Sequence, residues 1–292
     1  FGGYYLAKDK GFYDAEGLDV TIKPGGPDIA PAQVLAGGGA DVMVDWMPSA
    51  LAAREKGLPL VNIAQPFKSS GMMLTCRKDM GVNTTADLKG KTLGVWFYGN
   101  EYPFLSWMSR LGLKTDGSAN GVTVLRQGWG VEPLTEGQAA CVSTMSYNEY
   151  WVVRDAGYSP EQLTVFKYQS EGAATLEDGL YVHEKNLSDA AFKDKMVRFV
   201  RASMKGWKYA EANPKEAAMI ILDNDDAGVQ TEKHQVRMMG EIAKLTAGSN
   251  GSLDPADYER TVKVLMSGDS DPVITKKPSG AWTNEITNAA LN

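Results

Sequence analysis

Residues 7–20 have the sequence AKDKGFYDAEGLDV, in which a helix-favouring segment ends at a glycine-bounded turn and a short apolar segment begins. The residues leading into this stretch, 2–10, predict a helix, and residues 18–22 predict a short strand. The run PGGPD at 24–28 closes that strand, because glycine and proline favour turns. The N-terminal region is therefore expected to contain a helix followed by a strand.

The same alternation of strands and helices continues through the middle of the chain. Further strands are predicted at 40–44, 91–96, 122–125 and 140–145, and helices at 48–56 and 102–111. Short apolar strands that alternate with helices are typical of parallel sheets covered on both faces. The last third instead contains amphipathic helices at 190–213 and 233–245 without intervening strands. These patterns predict an α/β fold that ends in helices.

The helix at 2–10 lacks the preceding strand that a parallel β–α–β unit requires. We expect that an initial strand, central in its sheet, is missing from the given sequence. A permuted or domain-swapped arrangement is the alternative.

Composition restricts the classes of function. The chain has 292 residues, more than one hydrophobic core usually organises, which predicts two lobes. Acidic residues outnumber Lys plus Arg by 36 to 30, which argues against a nucleic-acid-binding protein with a basic face. No apolar run approaches the roughly 20 residues of a membrane helix. Two cysteines and two histidines leave little for a disulfide framework or a His-based metal site.

Three segments together resemble a known family. Residues 7–20, followed by GGADV at 38–42 and DLKGKTLGV at 87–95, resemble substrate-binding proteins of bacterial ABC importers. The similar branch includes binders of thiamine-pyrimidine precursors, alkanesulfonates, nitrate and riboflavin. The resemblance implies a two-lobe type II periplasmic-binding-protein fold, in which each lobe is a mostly parallel sheet flanked by helices and the ligand cleft lies between the lobes.

The resemblance also implies a domain organisation and a cellular setting. Two crossing segments, near 71–75 and 175–180, would act as the hinge. Lobe one would comprise 1–73 and 178–292, and lobe two 74–177. The protein would be periplasmic, or extracytoplasmic and membrane-anchored, with its signal segment outside the given sequence. It would act as a monomer that serves ABC permease subunits, with a small-molecule ligand and without a cofactor.

Ligands of open parallel sheets bind just beyond the carboxyl ends of the strands, and this rule selects the candidate site residues. In strand order these are Gly26, then Asp45 and Trp46, then Trp96, Tyr98, Asn100 and Glu101, then Trp129, and finally Tyr147 and Glu149. Structural roles remain open for several of them. Gly26 fits an ordinary turn, Trp46 fits a core, and the acidic residues suit helix starts, where they would cap the helix or interact with its dipole.

The chemistry of these loops predicts a ligand class. They combine aromatic rings with carboxylates and contain no arginine, so they suit a flat, neutral-to-cationic, nitrogen-rich ligand such as an aminopyrimidine, and disfavour small anions. Arg126 and Lys68 lie near candidate loops and would weaken this argument if either pointed inward. Binders of a sulfonate or of riboflavin are the alternatives within the same class.

An enzyme is the alternative from another class. The branch includes a pyrimidine phosphate synthase that uses a cysteine-rich, iron-associated motif and a lysine-bound cofactor, and no such cysteine cluster is present here. His183 and His234 are predicted to lie far from the candidate loops, so we expect no catalysis. A sensor domain is a third possibility. The family's sheet order makes the strands of Cys76 and Cys141 neighbours, and the two residues are either a disulfide or a pair of buried thiols.

Overall fold

A computed structural model describes residues 1–26, 28–267 and 272–292 of the chain. The described residues form eight strands: β1 (Met43–Asp45), β2 (Leu60–Ala64), β3 (Met72–Arg77), β4 (Thr92–Val95), β5 (Thr123–Arg126), β6 (Cys141–Met145), β7 (Leu163–Lys167) and β8 (Gly179–His183). They also form twelve α-helices: α1 (Gly2–Asp9), α2 (Phe12–Ala15), α3 (Pro31–Ala36), α4 (Met47–Glu55), α5 (Tyr102–Arg110), α6 (Glu132–Thr135), α7 (Glu149–Asp155), α8 (Ala190–Ala212), α9 (Pro214–Asp223), α10 (Glu232–Thr246), α11 (Pro255–Met266) and α12 (Glu285–Leu291).

The first sheet has the strand order β1-β8-β2 and is covered on both faces. Side chains alternate along β8 because successive residues of a strand point to opposite faces. Leu180 and Val182 face a core shared with α1, α8 and α10, whereas Tyr181 faces a core shared with α3, α4 and α11.

The second sheet has the order β5-β4-β6-β3-β7. Cys141 of β6 faces a core that it shares with Trp107 of α5. The next residue, Val142, faces a smaller cluster that contains Val153 of α7. The predicted class, an α/β fold of sheets flanked by helices, is therefore what the structure shows.

The expected mostly parallel pairing is wrong in detail. In the first sheet β8 pairs antiparallel with both β1 and β2. In the second sheet β4 pairs parallel with β5 and β6, but β3 pairs antiparallel with β6 and β7. The reason is that β3 and β8 enter their sheets directly from the segments that join the two sheets. A strand buried on both faces is apolar in either direction, so the sequence pattern does not reveal this.

The strand predicted at 18–22 is also wrong. Leu18, Val20 and Ile22 are half-buried against the first core, with exposed residues between them, so the expected alternation is present. Among the described residues, however, no strand hydrogen-bonds to this segment. An alternating pattern of apolar residues determines which side chains are buried, but a β-strand also requires a neighbouring strand to which its backbone hydrogen-bonds. Pro27 of the predicted turn lies outside the described residues.

Most other elements agree with the sequence within one to three residues. The helix predicted at 102–111 is α5, and those at 190–213 and 233–245 are α8 and α10. Pro48 and Pro103 lie in the first turns of α4 and α5, where a missing N–H removes no helical hydrogen bond. Asp189 caps α8 by accepting a 2.9 Å hydrogen bond from the Ala191 N–H.

Cys76 and Cys141 form a disulfide between β3 and β6. The two residues lie directly opposite each other in the antiparallel register. The disulfide, rather than the pair of buried thiols, is therefore the form in this structure.

The chain passes twice between the two sheets. The first sheet is built from strands within 43–64 and 179–183, and the second from strands within 72–167. The passages precede β3 and β8, within 65–71 and 168–178. The crossing segments near 71–75 and 175–180 stay a prediction. We keep the boundaries 1–73 with 178–292 and 74–177 as a proposal, and call these parts lobe one and lobe two. No helix in the described ranges is both long and apolar enough to cross a membrane.

Candidate functional site

Asp45 lies at the carboxyl end of β1, in a buried position. Its Oδ1 accepts a hydrogen bond from the Trp46 N–H and its Oδ2 accepts one from Ser49 Oγ, both at 2.8 Å. Burial raises the pKa of Asp45 to about 7, although these hydrogen bonds oppose the shift. The carboxyl group therefore carries a proton for much of the time near neutral pH.

The indole of Trp46 connects the two lobes. It is only 8% exposed and packs in the core of the second sheet. Its Nε1 donates a 2.9 Å hydrogen bond to Oδ1 of Asp178, in the return crossing segment. Burial also raises the pKa of Asp178, and the indole N–H opposes that shift. Trp46 is thus a core residue, and one edge of it meets a buried acid between the lobes.

Glu177 joins the two crossing segments. Its carboxylate accepts hydrogen bonds from Ser70 Oγ and, at 2.7 Å, from the Gly71 N–H. Burial raises the pKa of Glu177 to about 8. Gln65 adds a second connection, because its Nε2 donates to the carbonyl oxygen of Glu177 at 2.9 Å. The two crossing segments are therefore hydrogen-bonded to each other through a buried carboxyl group.

The loop after β4 lies against lobe one. The carboxylate of Glu101 accepts a 2.7 Å hydrogen bond from the Gly99 N–H, which fixes the turn. Gly99 has φ of +103°, and a Cβ placed there would lie 2.5 Å from Cβ of Ser49. Asn100 is half-buried beside this contact. Glu101 therefore stabilises its own loop, and this loop contacts the helix that follows Asp45.

Trp96 and Tyr98 continue this loop towards the surface. The Trp96 indole is partly buried, and its Nε1 donates a 3.2 Å hydrogen bond to the Gly128 carbonyl oxygen. Tyr98 is 41% exposed and has a φ of 59°, which is uncommon for a residue other than glycine. The loops after β4 and β5 thus form one surface.

Trp129 and Gly26 meet across the two lobes. Trp129 is 77% exposed, and its Cζ2 would lie 3.4 Å from a Cβ at Gly26. Arg126 lies beside them, with its guanidinium 5.0 Å from the Tyr98 ring centre and 3.6 Å from Asp28. Arg126 therefore lies beside the candidate loops, at the edge formed by Gly26, Tyr98 and Trp129, which we call the rim, and this weakens the argument against an anionic ligand. Residue 126 ends β5 and lies outside the loop residues considered first. Lys68 instead donates to the Ser252 carbonyl oxygen.

The loop after β6 contains Tyr147 and Glu149. Tyr147 is half-buried and contacts the cores of both sheets, and burial raises its pKa well above the usual value. Glu149 accepts hydrogen bonds from the Met145 N–H at 2.8 Å and from Asn148 Nδ2 at 3.0 Å. Burial raises the pKa of Glu149 to about 7.

The prediction that His234 lies far from the candidate loops is wrong. Its Nε2 lies 2.8 Å from Oδ1 of Asn148. Burial is the main cause that lowers the pKa of His234, so a neutral ring is favoured. The residue is on α10, and only the three-dimensional packing brings this helix to the loop after β6.

The predicted residues therefore form two groups. Asp45, Trp46, Tyr147 and Glu149 are buried or half-buried where the lobes meet, together with Asp178. Gly26, Tyr98 and Trp129 lie at the rim, and Trp96, Asn100 and Glu101 belong to the loop between the groups. None of the ion pairs within the described ranges involves Asp45, Glu149, Glu177 or Asp178. Such carboxyl groups retain capacity to accept hydrogen bonds or to stabilise a cation.

The sequence offered a signal for the two acids that were missed. Glu177 and Asp178 are adjacent acids inside the otherwise apolar segment before β8. The rule about strand ends does not select this segment, although paired acids in an apolar context require an explanation by burial and hydrogen bonding.

Comparison with known families identifies the chain. The family model described as NMT1/THI5 like matches residues 1–217. The chain belongs to this family. Among curated proteins it is similar to the formylaminopyrimidine-binding protein of Halalkalibacterium halodurans, with 24% identity, across 96% of this chain and 86% of that protein.

Solved structures show the same fold. A protein of Bordetella bronchiseptica RB50 superposes with a TM-score of 0.76 at 21% identity, and covers 99% of this chain and 92% of its own. The periplasmic sulfonate-binding protein SsuA of Methylobacillus flagellatus KT gives a TM-score of 0.66 at 15% identity, across 99% and 88% of the two chains. The fold is therefore the two-lobe type II periplasmic-binding-protein fold.

The family also contains an enzyme. The 4-amino-5-hydroxymethyl-2-methylpyrimidine phosphate synthase of Schizosaccharomyces pombe is 28% identical over 130 residues, which is 44% of this chain and 36% of that protein. Family membership alone therefore does not separate a binding protein from an enzyme.

Proposed function

We propose that this protein is an extracytoplasmic solute-binding protein. It captures a small, planar, nitrogen-rich heterocycle of the aminopyrimidine class between its lobes and delivers it, as a monomer, to an ABC permease. The protein recognises the ligand and closes its lobes around it, and it makes or breaks no covalent bond.

The observation that carries this proposal is the set of buried carboxyl groups beside aromatic rings where the lobes meet. Asp45 accepts a hydrogen bond from the backbone N–H of Trp46, Asp178 accepts one from its indole Nε1, and burial raises the pKa of both acids. A ring that carries amino groups offers further hydrogen-bond donors to these acids, which retain capacity to accept them, and an aromatic face stacks a planar ligand. The formylaminopyrimidine-binding relative supports the same ligand class.

Two measurements test the ligand class. Mass spectrometry of small molecules released from the denatured protein identifies any ligand that copurifies. Calorimetric titration with a formylaminopyrimidine, 4-amino-5-hydroxymethyl-2-methylpyrimidine, riboflavin and an alkanesulfonate then ranks the candidates. We expect an aminopyrimidine to bind most tightly. A sulfonate that binds more tightly would contradict the proposal and would assign the Arg126 guanidinium a role in holding an anion.

Variants test the site itself. We expect Trp96→Ala and Glu101→Gln to abolish ligand-induced thermal stabilisation. Trp282→Ala is the matched control, because Trp282 is also half-buried. It forms an isolated β-bridge with Asn62 of β2, which lies at the opposite edge of the first sheet from β1. If both site variants bind with the affinity of the unmodified protein, the site is misplaced.

The second candidate is a pyrimidine-forming enzyme, which the synthase relative favours. Its sequence match covers less than half of this chain, and both cysteines of this chain are joined in one disulfide. A thiol in a disulfide is not available as a nucleophile or metal ligand. Turnover by the purified protein, or a spectrum from a lysine-linked cofactor or from iron, would establish the enzyme instead.

A further inference from the structure

Helices α10 and α7 contact each other although they belong to different lobes. Helix α10 packs on α9 and α8 around the first sheet, whereas α7 packs on β6 of the second sheet. Side-chain contacts between α10 and the region of α7 therefore join the lobes at a place separate from the crossing segments.

His234 is the first residue in a series of hydrogen bonds that runs from α10 to the candidate loop after β6. Asn148 Nδ2 donates to Oε1 of Glu149 at 3.0 Å, so the amide oxygen of Asn148 faces His234. An amide oxygen only accepts hydrogen bonds, and the imidazole Nε2 must therefore donate. Glu149 in turn accepts from the N–H of Met145, the last residue of β6.

Arg237 lies one turn further along α10 and makes two more contacts with lobe two. Its guanidinium binds both carboxylate oxygens of Asp155, at 3.1 Å and 3.4 Å. Its Cζ also lies 4.8 Å from the ring centre of Trp151. A planar guanidinium suits a forked ion pair combined with stacking on an aromatic face.

The other end of α10 lies beside the first crossing segment. The carbonyl oxygen of Leu245 accepts a 2.8 Å hydrogen bond from the Lys68 N–H. A Cβ at Gly71 would lie 2.9 Å from Cδ1 of Leu245. Helix α10 thus extends from the hinge to the loop after β6, and a change of lobe angle would move its contacts with that loop.

We propose that His234 and Arg237 are positioning residues that form a latch between α10 and lobe two, and that this latch holds the lobes together before ligand arrives. The inference rests on the proposed function only in that the lobes enclose a ligand. In a closing protein, contacts of this kind set the ligand-free population of the closed form and hence the apparent affinity.

The distance between the lobes in the ligand-free protein tests this proposal. Spin labels are attached to cysteines that replace exposed Lys89 in lobe two and exposed Lys208 on α8. Labelling is selective because both native cysteines are bridged. Double electron–electron resonance then compares the unmodified protein with Arg237→Gln and His234→Ala.

Arg77→Gln is the matched control. Arg77 also forms a forked ion pair, with Asp79, and lies 5.4 Å from the ring centre of Tyr158, but all three residues belong to lobe two. We expect a longer-distance population in both latch variants, a smaller one in Arg237→Lys, and the unmodified distribution in Arg77→Gln. Unmodified distributions in both latch variants, or an equal change in the control, would overturn the latch. Because no ligand is added, failure of the ligand titrations leaves this readout intact.

Discussion

Trp46 and Asp178, 132 positions apart in sequence, are joined by a 2.9 Å hydrogen bond from the indole Nε1 to a buried carboxylate oxygen. The bond connects the end of β1 to the segment that returns from lobe two to lobe one. Trp46 also packs in the core of the second sheet. The Trp46 side chain therefore contributes to the core and also donates to Asp178, which leaves that carboxyl group fewer positions to accept a hydrogen bond from a ligand.

A double-mutant cycle measures this bond. Trp46→Phe removes the donor and leaves a buried acid without it, and we expect a loss of about 1–3 kcal/mol in the free energy of unfolding. In the Asp178→Asn background the same substitution should be less harmful, which would give a measurable coupling energy in urea unfolding. Strictly additive single effects would show that the bond contributes nothing to stability.

Buried acids predict a free energy of unfolding that decreases as the pH rises from acidic to mildly alkaline values. The folded-state pKa of Glu177 is raised from 4.5 to about 8, and those of Asp45 and Glu149 are raised to about 7. The folded state therefore binds more protons than the unfolded state between about pH 4 and pH 8, so stability is lost as pH rises through this range. His234, whose pKa is lowered, acts in the opposite direction.

Glu177→Gln isolates one contribution to this pH dependence. The amide cannot ionise, so we expect the decrease in unfolding free energy from pH 5.5 to pH 8.5 to shrink by at least about 1.4 kcal/mol, the equivalent of one pKa unit. Urea unfolding at fixed pH values measures it. An unchanged pH profile would contradict the raised pKa. Glu184→Gln, at an exposed position, is the control.

Local sequence patterns predicted the elements that depend on nearby residues. Helix α5 and strand β4 were located within one residue at each end, because apolar periodicity and the first-turn proline are local signals. Residues 18–22 show the limit, since their alternation is real but a strand also needs a partner.

The candidate site shows the same difference between residues that local sequence patterns indicate and residues that only the three-dimensional packing brings together. The rule about strand ends selects Asp45, which is buried at the end of β1, and Glu149, which is half-buried and begins α7 shortly after β6. It missed Asp178, which precedes β8, because an antiparallel strand in the middle of the sheet brings its first residues to that edge. It also missed His234, which contacts Asn148 although the two residues are 86 positions apart in the sequence.

The disulfide predicts a large effect on stability and a small effect on binding. The bridge closes a loop with a sequence separation of 65, and cross-linking a loop of this length stabilises a protein by about 4 kcal/mol in the chain-entropy model. Cys141 begins β6 and the candidate loop follows its end, about 13 Å away at the usual rise per residue. We expect Cys76→Ala/Cys141→Ala to lower unfolding free energy by 2–5 kcal/mol, as is typical for a native disulfide, without a change in ligand affinity. A matching loss of affinity in calorimetry would place the bridge in the site.

Gly99 provides the sharpest test of whether the lobes must approach closely to bind ligand. Its φ is +103°, and an added methyl group would lie 2.5 Å from Cβ of Ser49 in the other lobe, so Gly99→Ala strains the backbone and also separates the lobes. Gly57 has nearly the same φ, +104°, but a methyl group there meets nothing within 4 Å. We therefore expect both alanine variants to lose about 1 kcal/mol in the free energy of unfolding, the usual order for a strained glycine position. Only Gly99→Ala should weaken ligand binding, by tenfold or more if lobe closure loses about 1.4 kcal/mol. Urea unfolding and calorimetric titration of the two variants measure these effects. Equal affinities in the two variants would mean that contact between Gly99 and Ser49 is not part of the ligand-bound state.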